Sequence, residues 1–244
     1  MVWCYPRGLR LTIHEPAVVL TDLFVGLEAM AFAIVLARRR SNGPAIGARA
    51  MERHRWLVAS FAASGSAALL GAAIHGRLPM KGDPTRRRMW RLSLGFIGVG
   101  GLSAWRIGAA TALAGRWRRR VTGAATVAHG AYLLTLTRTD PPFAVAIAAY
   151  LPGAMFLSAA LASRLRRPAE RRPAALALLG MGLTFSGALA QAGRIAIHPR
   201  LFDHNATYHA IQAAAVACFF AAAGGLVSHT SGQALHDPPQ PVRR

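Results

Sequence analysis

Ten residues near the C-terminus, Asp203-His204-Asn205-Ala206-Thr207-Tyr208-His209-Ala210-Ile211-Gln212, gather two imidazoles, a carboxylate and two amides at the head of a long apolar run. Imidazole nitrogens ligate zinc-like metals and exchange protons near neutral pH, and a nearby carboxylate can serve as base or hold the imidazole in place. Such groups are costly beside hydrocarbon, so their presence there points to a use. Similar groups recur at the ends of other apolar runs. Glu15 and Asp22 lie at the start of the first, His75 at the close of the second, and Gln191, Arg194 and His198 at the close of the sixth.

The elements that must position these groups follow from composition. The 244 residues are 53% hydrophobic and 16% charged, with a mean hydropathy of +0.31. Arg clusters separate long runs of Ala, Leu, Gly, Val and Phe, which is the pattern of a helical membrane protein that crosses the bilayer repeatedly. Seven runs come close to the length a crossing helix needs, near residues 17–37, 56–75, 92–114, 121–137, 143–162, 173–196 and 206–227. The expectation is therefore an all-α polytopic membrane protein, a seven-transmembrane helix bundle forming one domain over residues 1–228. A Pro- and Gly-containing tail over residues 229–244 is expected to be disordered.

A net charge of +20 would suggest nucleic acid as the partner of a soluble protein. Here the arginines sit in short connections between apolar runs, so membrane lipids with anionic head groups are the expected partners, and no nucleic acid. The connections after the first, third and fifth runs are the most basic, which places the N-terminus outside and the C-terminus in the cytoplasm of a cell-membrane protein. Arg86-Arg87-Arg88, after the second run, stands against that rule. Cys4 and Cys218 offer neither metal spacing nor a disulfide framework.

With seven crossings, all the polar run-ends named above fall on one membrane face. His75, His204 and His209 are the candidate metal ligands, and Asp22 or Glu15 the candidate catalytic base. Asn205 and Gln212 extend the His209 face, while Gln191 and Arg194, with His198 at spacing i, i+3, i+7, would present a matching face from the sixth run. On a regular helix His204 and His209 stand about 140° apart, so His204 would have to contribute from a non-helical cap. Plainer roles compete: Asp203 as a helix cap, His14 and His198 as interfacial residues, and Arg194 snorkelling to head groups. Glu28 and Arg106 could form a buried pair, His129 could be hydrogen-bonded within the bundle, and Trp90 and Trp105 read as belt or packing residues.

This pattern resembles the seven-span superfamily that includes alkaline ceramidases and progestin/adiponectin-type receptors, the CREST group. His75, in Gly71-Ala72-Ala73-Ile74-His75, looks like that group's second-span histidine. His209, in Asn205-Ala206-Thr207-Tyr208-His209, looks like the second histidine of its seventh-span H-x-x-x-H pair, and Glu15-Pro16 with Asp22 is loosely similar to the acidic N-terminal region of ceramidases. Gly71 stands where the group usually has Ser, and Asn205 where it has the first histidine of the pair.

The resemblance implies zinc as cofactor and hydrolysis of a lipid amide or similar bond within the bilayer. Two other functions fit the same residues. One is a non-catalytic lipid-binding or receptor-like bundle, and the other is a proton-coupled transporter with Asp22, Glu28 and His129 as relay groups.

Overall fold

The computed structural model describes residues 13–41, 47–77, 83–138 and 141–228. The tail 229–244 expected to be disordered, and Cys4, lie outside the described residues. Within them the chain forms seven helices: α1 (Pro16–Ser41), α2 (Ala48–Arg77), α3 (Pro84–Ala112), α4 (Gly115–Arg138), α5 (Phe143–Ala162), α6 (Pro168–Ala192) and α7 (His204–Ser228). A short 3-10 turn, Ser163–Arg166, links α5 to α6. Among the described residues six helices, all except α4, are long and apolar enough to cross a membrane. The protein is all-α and is built as a multi-pass membrane protein.

Ala- and Leu-rich runs favour helix because their side chains lose little freedom there. Pro16, Pro84 and Pro168 open α1, α3 and α6, where the missing N–H costs nothing. Asp83 caps α3, its carboxylate accepting from the backbone of Thr85 at 2.6 Å and Arg86 at 3.0 Å. Gly115, at φ +51°, provides the left-handed residue that turns the chain from α3 into α4.

Several helices begin earlier than hydropathy suggests. Arg53 and Arg55 belong to α2, Arg86-Arg87-Arg88 to the first two turns of α3, and Arg116 through Arg120 to α4, although all read as loop. Arg53 turns inward to the Ala110 carbonyl and Arg118 to Glu52, while the exposed guanidinium groups extend outward on long stems, so a charge run does not end the backbone helix. The sixth run errs the other way. Its helix stops at Ala192, and Arg194 takes a left-handed φ of 52°. Gln191, Arg194 and His198 therefore share no helical face.

The six apolar helices form a closed circuit of neighbours, α1–α2–α3–α5–α6–α7 and back to α1, with α2 also touching α7. Helices α1 and α2 run antiparallel: Val19 sits by Gly76, Asp22 by Gly71, Leu69 by Gly26 and Met30 by Gly65. Helices α3 and α5 run parallel, Gly101 lying against Ala149–Tyr150 and Gly108 against Phe156–Leu157. Between those two in sequence, α4 lies outside the circuit and packs chiefly on α3, antiparallel to it. Tyr132 of α4 donates to the Leu94 carbonyl at 2.7 Å, and Arg106 of α3 donates to Thr126 at 2.8 Å.

Small buried residues such as Ala29, Ala109, Ala154 and Ala222 let backbones approach closely. Beside core residues such as Phe61, Leu94 and Leu161, many large apolar side chains point outward: Phe24 is 62% exposed, Val127 74% and Leu189 72%. Such a surface suits hydrocarbon. Trp90 packs on Phe143 and Trp105 stacks on Phe156 at 4.9 Å, so both serve packing as read from the sequence.

Candidate functional site

The polar end of the circuit comprises the start of α1, the close of α2 and the start of α7. His209 of α7 faces Asp22 of α1, its Nε2 standing 3.1 Å from the Asp22 Oδ1. The other ring nitrogen, Nδ1, lies 3.2 Å from the Oε1 of Gln212, one turn further along α7. Both nitrogens of His209 therefore face oxygen atoms. One proton between Asp22 and Nε2 and another on Nδ1 suit both contacts and leave the pair without net charge.

Asp22 is almost entirely enclosed, at 2% side-chain exposure, and its Oδ2 has no hydrogen-bond partner. Room for that oxygen comes from Gly71: a Cβ there would sit 2.7 Å from it. The glycine that replaces the expected serine is thus the complement of a carboxylate from the neighbouring helix. A small residue opposite an acidic one on the next span was the available signal, but pairing two spans residue by residue needs their register.

Nearer the surface a second pair repeats the chemistry. His75 Nδ1 of α2 lies 2.5 Å from Glu15 Oε2, with side-chain exposures of 27% and 47%. His209 lies near both His75 and Asp203. Exposure falls from Glu15 through His75 to His209 and Asp22, so the second pair lies nearer the polar face than the first.

The remaining candidates fall around this axis. Asn205 Oδ1 accepts from Gln191 Nε2 at 3.2 Å, tying α7 to α6 rather than facing Asp22. Asp203 caps α7 by accepting from the Ala206 N–H at 2.9 Å. His204 is the first residue of α7 and not a preceding cap, so it remains about 140° around the helix from His209. Arg194 is exposed in the turn after α6. His198 accepts from the backbone of Arg200 and Leu201 and shapes the link between α6 and α7.

The expected zinc ligands can be tested against this arrangement. His75 is turned to Glu15, His209 to Asp22 and Gln212, and His204 sits elsewhere on α7. Among the described residues no three His, Cys, Asp or Glu side chains are grouped to hold a metal ion. As placed, His75, His204 and His209 do not fit zinc.

At the opposite, basic end, Glu52 of α2 contacts Arg118 of α4 and stands 3.9 Å from Arg106 of α3. This corrects the expected Glu28–Arg106 pair: Arg106 reaches Glu52 and Thr126, and stacks over Trp56 at 5.2 Å. The Glu28 Oε2 is buried without a hydrogen-bond partner. Glu170 binds Arg164 at 2.7 Å, and Arg164 also donates to the Thr111 carbonyl near the end of α3. Glu52 gave no signal in the sequence because it sits in an Arg-rich stretch that reads as loop. His54 was equally silent, yet its Nε2 lies 3.0 Å from the Leu36 carbonyl.

Six apolar helices in a closed circuit, an outward apolar surface and a buried carboxylate–imidazole pair between α1 and α7 define a membrane-embedded helical protein. More particularly, the chain belongs to the family of unknown function DUF6962, which matches residues 17–227. No curated protein and no solved structure matches it.

Proposed function

We propose that this membrane protein takes up and releases a proton at the Asp22–His209 pair, as a proton-coupled transporter does. The observation that carries the reading is the 3.1 Å approach of an imidazole to a carboxylate only 2% exposed, between two helices expected to cross the bilayer. Ionisable groups inside a membrane domain are retained for relays and coupling sites because their cost is otherwise unrewarded. The more exposed Glu15–His75 pair is the entry port, passing protons between the face and the buried pair. Of the relay groups expected from the sequence, Asp22 stays central, Glu28 lies deeper on α1, and His129 sits apart against Tyr132 of α4.

The same reading takes α4 as a seventh crossing. Parallel α3 and α5 support it, because a chain that crosses twice in one direction must return between them. At 24 residues, α4 is about 36 Å long, enough for that return. The basic connections support an N-terminus outside, with the polar end on the outer face.

Proteoliposomes with an entrapped pH-sensitive dye test the proposal. Wild-type protein should relax an imposed pH gradient, and Asp22→Asn should slow that relaxation tenfold or more. Equal rates for the two proteins would overturn it.

A further inference from the structure

Helix α4 turns two different faces to its surroundings. Thr122, Ala125, Tyr132 and Leu136 are buried. On the opposite side, steps of 100° place Arg116, Arg120, Gly123, Val127, Gly130 and Leu134 within about 80° of one another. That face opens with two exposed guanidinium groups. Their Cζ atoms stand 5.8 and 5.3 Å from the ring centre of Trp117, itself 55% exposed. Cation–π contact holds both groups beside an aromatic of the kind that sits at the head-group layer. The neighbouring Arg118 is turned inward to Glu52, whereas no carboxylate among the described residues pairs with Arg116 or Arg120.

Below the cations the face is apolar and notched. A Cβ at Gly123 or Gly130 would meet nothing within 4 Å, and Val127 and Leu134 are exposed beside them. From Arg116 to Leu134 the face runs about 27 Å, the scale of one hydrocarbon leaflet or more.

We propose that this outward face of α4 binds an anionic phospholipid. Its phosphate lies between Arg116 and Arg120 beside Trp117, and an acyl chain lies along Gly123, Val127, Gly130 and Leu134. Charge selects the head group: two guanidiniums without a protein carboxylate complement a phosphate that they can chelate. The apolar notches select a lipid over a free anion. The bound lipid covers the side of α4 that the circuit of helices leaves open.

Native mass spectrometry of the full chain, released from nanodiscs of mixed phosphatidylglycerol and phosphatidylcholine, tests this directly. Wild-type protein should retain phosphatidylglycerol at least tenfold over phosphatidylcholine, and millimolar inorganic phosphate should not displace it. The double variant Arg116→Gln/Arg120→Gln should lose that preference, while Arg171→Gln/Arg172→Gln, at another exposed arginine pair, should keep it. Gly123→Leu, which fills a notch without changing charge, should lower retention severalfold. Equal retention of both lipids by the wild type overturns the proposal whatever the variants do. So does displacement by phosphate, or a dimer that Val127→Trp breaks while phosphatidylglycerol retention is unchanged.

Discussion

The two ends of the bundle solve the same problem with different partners. At the basic end, Glu52 and Glu170 meet guanidinium groups, those of Arg106, Arg118, Arg164 and Arg167. At the polar end, Glu15 and Asp22 meet imidazoles, those of His75 and His209. A guanidinium keeps its charge at any physiological pH, so the Glu52 cluster is a fixed tie joining α2, α3 and α4. An imidazole gains and loses a proton near neutrality. In the proposed reading the Asp22–His209 tie between α1 and α7 exchanges a proton, whereas the Glu52 cluster keeps its charges. One end is a latch and the other, on the proposed function, a switch.

The comparison is broken most severely at the latch. Glu52→Ala leaves two partly buried guanidiniums without a carboxylate and should cost roughly 2–4 kcal/mol, read as a lower melting temperature in detergent. Glu52→Gln should recover little of it, because charge and not shape is missing. At the switch, Gly71→Ala puts a methyl where the Asp22 Oδ2 lies and should cost about 1–3 kcal/mol through overpacking. It should slow proton movement as well, since Asp22 must turn away from His209. Asp22→Asn keeps the shape and should change stability by less than about 1 kcal/mol while abolishing proton exchange. An Asn variant as unstable as Glu52→Ala would make the polar pair a second latch.

The smallest effect concerns a carboxylate outside both clusters. The backbone N–H groups of Arg86 and Thr85 hold the Asp83 carboxyl below its usual range. A lowered folded-state value means that the cap stabilises α3 above the ordinary carboxylate range and is lost as pH falls through the lowered value. Asp83→Ala should slightly lower the melting temperature at neutral pH and leave it unchanged in strong acid. An equal drop at both would deny the cap its charge.

Much of this architecture is legible in the residue pattern, and the limits have physical causes. Apolar runs locate all seven helices, and alternating direction alone brings Asp22, His75 and His209 to one end. Helix starts fail where Arg side chains reach outward from a helical backbone, as at Arg55 and Arg116. The pairing at the site fails to appear because imidazoles that can ligate zinc can equally well be spent on carboxylates, and only register decides. Asp22 opposite Gly71 sends His209 to a carboxylate, and the continuous helix at His204 removes the third imidazole. Asn205, bonded sideways to Gln191, shows the same dependence on neighbours that no local motif reveals.

The switch is tested most directly by following carboxyl protonation by infrared difference spectroscopy, from mildly acid to mildly alkaline pH, in wild-type protein, Asp22→Asn and Glu52→Gln. A titrating carboxyl band is expected in the wild type, lost in Asp22→Asn and kept in Glu52→Gln. A band unaffected by Asp22→Asn, or removed by Glu52→Gln, would contradict the switch.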